Sequence, residues 1–350
     1  MNLAPKIAKI TGLILLGIVY ALGILWCSGA IMHANEIPVV IRWICLALFV
    51  ILTGSAPFFR PHVYYLGGSA FLMFLVIALW QFKKPNPDVS WRMEYAKLPK
   101  IEQINETTYR IHDIRDFKFN EGRSKEPGYL TYDYNIKELS QVDYIQVHWE
   151  NAFKNLVAHS MLAFHFKNAP VLVASFEVRR PVGNEYSPVG DLYKQDYVSW
   201  IIGTETDLIA DRTNSRAREM NGEQVHIYPL NISEEQRFRI FLKLVKEVSS
   251  IREKTRFYNT LTDNCITNLC EVLKAGLDLP LWHYSYLTNG YFDRLLFQEG
   301  FLQETPYEIS FEDFKKSHCV NERTRGWSYS MKNCEQDYHK RIYPEGEAEQ

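Results

Sequence analysis

Several features that mark common classes of protein are scarce or missing in this chain of 350 residues. Basic residues do not exceed acidic ones, and the formal net charge is -2. A nucleic-acid partner usually requires a basic face or tail, so we expect none. Six cysteines are too few for a disulfide-dense scaffold. Cys319 and Cys334, in a polar C-terminal region, either pair in an oxidising compartment or stay free.

The short motifs of several enzyme classes are also absent. The sequence contains no His-Glu-x-x-His, no Gly-x-Ser-x-Gly, no phosphate-binding glycine loop and no dinucleotide-binding fingerprint. His148, His159 and His165 come nearest to a set of metal ligands, because the last two share the parity of one strand. Six residues along a strand separate them by roughly 20 Å, which is too far for one ion. We therefore expect no bound cofactor or metal.

Three long apolar segments occupy the first part of the chain, at Ile10–Ile31, Val39–Ala56 and Tyr64–Trp80. Each has about the length that a helix needs to cross a bilayer. The first is too long for a cleavable signal and lacks a small-residue cleavage site. We predict three transmembrane helices within residues 1–82. A two-span or re-entrant arrangement stays open, because the second segment contains Arg42 and the third is short.

The charges that flank these segments do not decide their orientation. Lys6, Lys9 and Arg60 fall on one side, and Arg42, Lys83 and Lys84 fall on the other. The excess of positive residues that marks the cytoplasmic side is therefore nearly a tie. A long following domain translocates largely regardless of such charges, so a cytoplasmic N-terminus with an external domain is allowed.

Composition divides the rest of the chain into three parts. Residues 83–90 contain Lys83-Lys-Pro-Asn-Pro-Asp88, which is typical of a linker. Residues 91–305 are predicted to form one domain. Residues 306–350 form a polar C-terminal extension, and its acidic end, Tyr343–Gln350, is expected to be disordered.

Alternating and helical patterns predict that residues 91–305 form an α+β domain. Strand-like runs occur at Tyr109–Phe119, which resembles an edge strand, and at Tyr144–Trp149, Tyr197–Ile202 and Val225–Tyr228. A helix is predicted to begin at Ser233, because Gln236 occupies the capping-box position and apolar residues follow at helical spacing.

Cys265 lies at the start of a second predicted helix. The run Tyr258-Asn-Thr-Leu-Thr-Asp-Asn-Cys265 places Asp263 and Asn264 just before a helical apolar pattern, and either residue suits the N-cap. The helix is expected to end at Gly276. Backbone N–H groups and the positive end of the macrodipole favour a thiolate in the first turn, so we predict a lowered pKa for Cys265. The alternative is a buried cysteine that only fills space.

A β-hairpin is predicted upstream of this helix. The β-rich runs Ala158–Phe166 and Val171–Arg179 flank a short loop that contains Asn168. If the turn centres on Asn168, His159 stands opposite Glu177, at a separation where cross-strand side chains interact. A turn centred half a residue later makes the pair diagonal but leaves it within reach.

Cys265, His159 and Glu177 supply a nucleophile, a base and a group that orients the base. An oxyanion hole would come from the backbone N–H of Cys265 and a second donor, either the side chain of Asn264 or a strand N–H. Simpler interpretations are a structural histidine, and a glutamate that pairs with the arginines following it. The sequence therefore predicts a candidate thiol site at these four residues.

These motifs and their order resemble those of the bacterial Lnb N-terminal periplasmic domain family. The shared strings, from about Asp113 to Lys274, are Ile114-Arg-Asp-Phe117, Val142-Asp-Tyr144, Trp149, Ala158-His-Ser-Met-Leu-Ala-Phe164, Ser175-Phe-Glu-Val-Arg179, Glu185-Tyr-Ser187, Glu205-Thr-Asp207, Arg212-Thr-Asn214 and Tyr258-Asn-Thr-Leu-Thr-Asp-Asn-Cys265. The resemblance implies a permuted papain-like fold, related to NlpC/P60 enzymes, in which histidine precedes cysteine. It also implies that His159 and Cys265 are the catalytic pair.

The family is named after lipoprotein N-acyltransferases, so the resemblance implies acyl transfer through a thioester on Cys265. It also implies a multi-pass inner-membrane protein with its soluble domain in the periplasm. The expected substrate is a lipoprotein or phospholipid in the same membrane. The named enzymes are larger and carry a further multi-helix region after this domain, whereas the apolar segments of this chain precede it. Two alternatives stay open: a periplasmic cell-wall peptidase or amidase, and a catalytically silent membrane-anchored binding module.

Overall fold

The computed structural model shows an α+β chain in which three long apolar helices precede a mixed sheet. It describes residues 3–119, 125–149, 156–215, 223–302 and 309–344. The chain divides into two units: Met1–Asn86 with Glu185–Asp196, and Pro87–Asn184 with Tyr197–Gln350. A short segment from within the predicted soluble domain thus belongs to the helical unit.

The helical unit contains α1 (Leu3–Met32), α2 (Val39–Ser55) and α3 (His62–Phe82). All three are long and apolar enough to cross a membrane. Most of their large hydrophobic side chains are exposed, as side chains that face lipid are. The Tyr20 hydroxyl donates to the carbonyl of Thr53 at 2.6 Å and lies 2.6 Å from the hydroxyl of Ser69. One polar side chain therefore links three helices, and the three-helix prediction is confirmed.

The segment Glu185–Asp196 packs on the ends of α1 and α3. The ring of Tyr193 stacks on His33 with ring centroids 5.0 Å apart. It also lies over Gly29, where a Cβ atom would come within 2.1 Å of the phenol oxygen. Lys194 Nζ donates to two carbonyl groups at the C-terminal end of α3, at 3.0 and 3.3 Å, where the helix attracts cations. This end of the bundle is therefore covered by residues that are distant in sequence.

The second unit is built on an eight-stranded sheet. The strands of the chain are β1 (Lys100–Gln103), β2 (Thr108–Arg115), β3 (Lys118–Phe119), β4 (Lys125–Glu126), β5 (Tyr129–Asn135), β6 (Leu139–Trp149), β7 (Ala158–Phe166), β8 (Ala169–Arg179), β9 (Tyr197–Gly203) and β10 (Glu223–Pro229). The order is β1-β2-β9-β8-β7-β6-β10, with β5 paired to β2, and β3 and β4 form a separate pair. Among the described strands, only β2 and β9 pair in parallel.

The strand predicted at Tyr109–Phe119 is not an edge strand. The corresponding strand β2 pairs with β1, β5 and β9. Alternation of polar and apolar residues reports one solvated face but not the number of neighbouring strands, so the edge prediction is wrong. The other three predicted strands lie within β6, β9 and β10.

The remaining helices are α4 (Glu205–Leu208), α5 (Glu234–Glu253), α6 (Cys265–Leu273), α7 (Phe292–Gln298), α8 (Phe311–Ser317) and α9 (Cys334–Ile342). The capping box predicted for α5 is complete, with reciprocal hydrogen bonds between Ser233 and Gln236. Gly276 follows α6, and a Cβ atom there would lie 2.7 Å from the carbonyl oxygen of Gln236. The glycine therefore allows the close approach of α6 to α5.

Side-chain parity sorts the core of the second unit into two layers. The even-numbered Leu162 and Phe164 of β7 join α5 and α6 on one face of the sheet. The odd-numbered Met161 joins the opposite layer, which also contains Trp327 and Tyr338 from the C-terminal segment. The sheet thus has one apolar layer on each face.

The C-terminal segment contributes to this fold from residue 309 to residue 344, through α8, α9 and their apolar side chains. Cys319 and Cys334 are both free thiols, so the bonded alternative is not formed. Disorder is predicted for Tyr343–Gln350, but Tyr343 packs against this apolar layer; residues 345–350 lie outside the described residues.

Candidate functional site

Asn264 caps the helix that begins with Cys265. Its side-chain oxygen accepts hydrogen bonds from the amides of Ile266 and Thr267, each at 3.1 Å. The hydroxyl of Thr267 in turn accepts one from the Asn264 amide at 2.9 Å. This complete capping box fixes the start of α6. Of the two predicted N-caps, Asn264 is therefore the one used, and Asp263 forms an ion pair with an arginine instead.

The thiol of Cys265 lies in the first turn of α6, against β7. The backbone N–H groups of Ser160, on β7, and of Ile266, in its own helical turn, lie near the sulfur and lower its pKa. The side-chain amide of Asn289 donates to the sulfur at 3.5 Å. Asn289 is itself held by Ala158, whose amide donates to its Oδ1 at 2.8 Å. Three N–H donors therefore surround the sulfur beside the strand that carries His159.

The Ser160 amide can reach the thiol because β7 and β8 separate at this point. Within the described ladder, Met161 opposite Ser175 is the last pair on this side. Strand β8 continues along β9 as far as Arg179. The sulfur is thus bound on the side of β7 that its neighbour leaves open.

Burial determines the acidity of the Cys265 thiol. Desolvation, followed by the charge of Glu177, raises its pKa to about 11, and the three donors offset this only in part. The prediction of a lowered pKa is wrong, because the loss of hydration outweighs the helix terminus. At neutral pH the sulfur is a protonated thiol, which requires a base before it can attack a carbonyl group.

His159 and Glu177 contact each other across the predicted hairpin. The register, with Met161 opposite Ser175, is the one that a turn centred on Asn168 gives. His159 Nε2 lies 3.1 Å from Glu177 Oε1 and 2.8 Å from Ser175 Oγ. Ser175 donates to the same carboxylate oxygen at 2.7 Å. In the neutral form of the ring, a proton held on Nε2 by these partners leaves the lone pair on Nδ1.

Arg212 extends this pair into an ionic network. Its Nη2 lies 3.2 Å from Glu177 Oε1, and its Nη1 lies 3.6 Å from Glu223 Oε2. Burial alone would raise the pKa of Glu177, but His159 and Arg212, with a hydrogen bond from Ser175, hold it well below its usual value. The carboxylate is therefore ionised at neutral pH and can fix the orientation of the imidazole.

The thiol lies beside Ser160, which is the neighbour of His159 on β7. His159 is odd-numbered and lies on the face opposite α6, which packs with even-numbered residues such as Leu162. The sulfur lies beside the strand backbone at Ser160, close enough to Glu177 for that charge to raise the thiol pKa. Two of the predicted residues are in direct contact, and the third is placed next to the strand that holds them.

Three residues of the site are missing from the predicted set: Ser175, Arg212 and Asn289. Ser175 precedes Glu177 by two positions, so strand periodicity places both on one face and could have found it. Arg212 lies in one of the strings that carry the family resemblance. Asn289 has no sequence signal, because it follows Cys265 by 24 residues and reaches the sulfur only through the fold.

The Asn264 side chain is engaged at both ends. Its Oδ1 caps α6, and its Nδ2 donates to the carbonyl of Thr260 at 2.7 Å. A role for Asn264 in an oxyanion hole stays a prediction. Asn289 offers a second side-chain amide beside the sulfur, and Ser160 provides the strand N–H of the alternative arrangement.

The family model of the Lnb N-terminal periplasmic domain matches residues 125–289. This range contains His159, Glu177 and Cys265 and ends at Asn289. The chain therefore carries a domain of this family, and the family that the sequence motifs suggest is confirmed. No curated protein and no solved structure gives a significant match.

The family match also bears on the sidedness of the membrane helices. The segment Glu185–Asp196 lies within the matched range of a periplasmic domain and packs on the ends of α1 and α3. We therefore expect that end of the bundle, which includes His33, to face the periplasm. The protein is an inner-membrane protein with a periplasmic domain.

Proposed function

We propose that the periplasmic domain is a cysteine-dependent acyl-transfer enzyme with Cys265 as its nucleophile. His159 is the base, and Glu177 holds the imidazole in place. The observation that supports this most directly is the position of the thiol, which lies among N–H donors beside β7, where His159 is 3.1 Å from Glu177 of β8. Such a constellation suits acyl transfer, which needs a base and hydrogen-bond donors at one carbonyl group.

The reaction begins when Cys265 transfers its proton to Nδ1 of His159 and the sulfur attacks the carbonyl carbon of an ester or amide. The carbonyl electron pair moves to oxygen, where N–H donors beside Cys265, including Asn289, stabilise the charge. Collapse of this intermediate breaks the bond to the leaving alcohol or amine, which takes the proton from His159. A thioester then remains on Cys265, and an amine or water resolves it and restores the thiol.

Glu177 contributes through the histidine. An imidazolium forms each time the thiol is deprotonated, and the adjacent ionised carboxylate stabilises that cation and fixes its orientation. Arg212 also pairs with this carboxylate and partly balances its charge.

The architecture also supports a permuted papain-like fold as part of this proposal. A helix begins with the candidate nucleophile and packs against β7 and β8 of a largely antiparallel sheet, and β7 supplies the histidine. The histidine precedes the cysteine in the chain. This order is the one that the family resemblance implies for permuted papain-like enzymes.

We infer that the substrate is membrane-associated, either a lipoprotein or a phospholipid. Three membrane-spanning helices keep the domain at the surface of the bilayer in which such molecules diffuse. Confinement to one surface raises the effective concentration of both partners. The group held on Cys265 is then an acyl chain, which passes from the thioester to an amine or to water.

A catalytically silent binding module is the second candidate. The raised pKa of Cys265 favours it, because a protonated thiol is a weak nucleophile. In the acyl-transfer enzyme, His159 removes the thiol proton and substrate is turned over. In the binding module, the thiol stays protonated and no substrate is consumed.

The test is acyl transfer by the purified full chain in detergent. Synthetic diacylated lipopeptide and phospholipid are supplied as acyl donors, and peptidoglycan fragments are supplied separately. We expect a hydroxylamine-sensitive acyl adduct on Cys265, detected by mass spectrometry, with a lipid donor and none in Cys265→Ala. Cleavage of peptidoglycan fragments instead would identify a cell-wall hydrolase. Failure to modify Cys265 or to consume any of these compounds would support the binding module.

A further inference from the structure

A pocket of about 330 Å³ opens between β10, the start of α7, and α8. Its volume is that of a small-ligand site. The wall includes Arg294, Lys315 and Lys316, with Glu312 as the carboxylate in the lining. The pocket therefore presents more positive than negative charge.

The three cations differ in how far their charges are already balanced. Lys315 Nζ lies 3.5 Å from Asp293 Oδ2, and Arg294 Nη2 lies 3.5 Å from Glu312 Oε1. Lys316 is exposed and has no ion-pair partner among the described residues. The positive charge of Lys316 is therefore not balanced by an ion pair among the described residues. The ion pair between Arg294 and Glu312 is also long. This arrangement favours a ligand with an anionic group.

The inner wall carries a buried imidazole. His226 is 2% exposed, and its Nδ1 has no hydrogen-bond partner among the described residues. Burial first, and then the neighbouring His148 and Lys315, lower the pKa of His226 to about 3, so the ring is neutral. A neutral imidazole offers one N–H donor and one lone pair. The Gln146 backbone takes up the ring N–H, so a hydroxyl group of the ligand can donate to the lone pair on Nδ1.

We infer that this pocket binds a phosphate-bearing group with a neighbouring hydroxyl, the chemistry of a glycerol phosphate. The phosphoryl oxygens face Arg294 and Lys316, and the hydroxyl faces His226. This chemistry occurs both in free glycerol phosphate and in the headgroup of phosphatidylglycerol.

The pocket adjoins the candidate thiol site. Gly290 forms part of its wall and directly follows Asn289, whose amide donates to the Cys265 sulfur. A ligand in the pocket would therefore touch the turn that positions Asn289. Binding of the ligand in this pocket is independent of the proposed function. Its role as a substrate of Cys265 rests on that function.

The test uses Cys319, which lines the pocket, as a reporter and Cys334, which does not, as an internal control. The full chain in detergent is alkylated with iodoacetamide, and modification of each cysteine is followed by mass spectrometry. Glycerol 1-phosphate at ten times its dissociation constant is expected to slow alkylation of Cys319 about tenfold by mass action, and to leave Cys334 unchanged. Glycerol alone is expected to protect neither.

Reconstitution in lipid nanodiscs distinguishes the two sources of the ligand. Protection of Cys319 by phosphatidylglycerol, compared with net-neutral phosphatidylcholine, identifies a lipid headgroup. Protection by free glycerol 1-phosphate alone identifies a soluble ligand. Either result supports the inferred site.

Charge-removing variants test whether the named residues form the site. Arg294→Gln and Lys316→Gln are each expected to weaken protection of Cys319 about tenfold in apparent affinity. Lys243→Gln, on α5, and Cys265→Ala are expected to leave it unchanged, so this inference can stand if the proposed thiol chemistry fails.

Three results would overturn the inference. They are equal slowing of Cys319 and Cys334, protection by glycerol alone, and full protection in a variant that combines Arg294→Gln with Lys316→Gln.

Discussion

The protonation state of one sulfur atom governs the chemistry available at Cys265. Its pKa of about 11 means that on the order of one molecule in ten thousand is a thiolate at pH 7. Desolvation and the charge of Glu177 oppose ionisation, and three N–H donors favour it. The resting site therefore resembles that of a serine hydrolase, in which the nucleophile keeps its proton until a base removes it.

We predict that Cys265 reacts more slowly with iodoacetamide at pH 7 than a free cysteine does. The rate should rise with pH until about pH 11, because the thiolate is the reactive form. Glu177→Gln removes a charge that raises the thiol pKa and should speed the reaction at fixed pH. Mass spectrometry of the peptide that contains Cys265 gives the rate. A plateau below pH 9 would show that the thiol is more acidic than its burial implies.

Cys265 and Cys270 form a matched pair on one helix. Cys265→Ala should abolish acyl transfer with little change in the thermal unfolding midpoint. Cys270 is buried in the apolar layer beside α6, so Cys270→Ala should cost about 1–2 kcal/mol of stability and spare the chemistry. Turnover assays and thermal unfolding in detergent separate the two effects. Equal activity of Cys265→Ala and the parent would exclude this nucleophile.

Glu177→Gln should reduce the rate of acyl transfer by less than His159→Ala does, because Glu177 acts through the histidine. The pKa of Glu177 is lowered on folding, so its stabilising effect is present above its ordinary pKa and is lost as the pH falls below it. Acid unfolding of Glu177→Gln should therefore depend less on pH than that of the parent. A fully active Glu177→Ala would mean that Ser175 orients the ring alone.

At the scale of elements, two capped helices allow a direct comparison. Both α5 and α6 begin with a complete capping box, at Ser233 and Asn264 respectively. Ser233→Ala and Asn264→Ala should each lower stability by about 1 kcal/mol. Only Asn264→Ala should also slow acyl transfer, because α6 begins with the nucleophile. Equal rates in the two variants would show that the α6 terminus has no part in the chemistry.

The local parts of this site could be predicted from the sequence, and the long-range parts could not. The α6 start and the His159–Glu177 pairing depend on capping residues and a short turn, which leave patterns in neighbouring positions. The separation of β7 from β8, the approach of Asn289 and the burial of the Cys265 thiol depend on contacts between distant segments. The pKa prediction failed for this reason, since helix position was visible in the sequence and desolvation was not.

At the scale of the whole molecule, the family match and the packing of Glu185–Asp196 predict which helix ends lie on each side of the membrane. Glu36→Cys, in the α1–α2 connection, should react with a membrane-impermeant maleimide in cells whose outer membrane is opened. Lys6→Cys, near the start of α1, should react only after lysis. Mass spectrometry, with the parent chain as the baseline, measures both. The reverse pattern would place the domain in the cytoplasm and exclude lipoprotein and cell-wall substrates.

The covering of α1 and α3 by Glu185–Asp196 has a consequence for biosynthesis. About a hundred residues separate the last helix from the segment that covers its end. At ribosomal rates this corresponds to a delay on the order of 5 to 20 s. During that interval the surface around Gly29 and His33 lacks its Tyr193 cover, so the newly inserted helices form a temporary species. A nascent chain arrested before residue 185 would hold the bundle in this uncovered form. A cross-linker placed at Gly29 could then identify any molecule that contacts the surface before Tyr193 covers it.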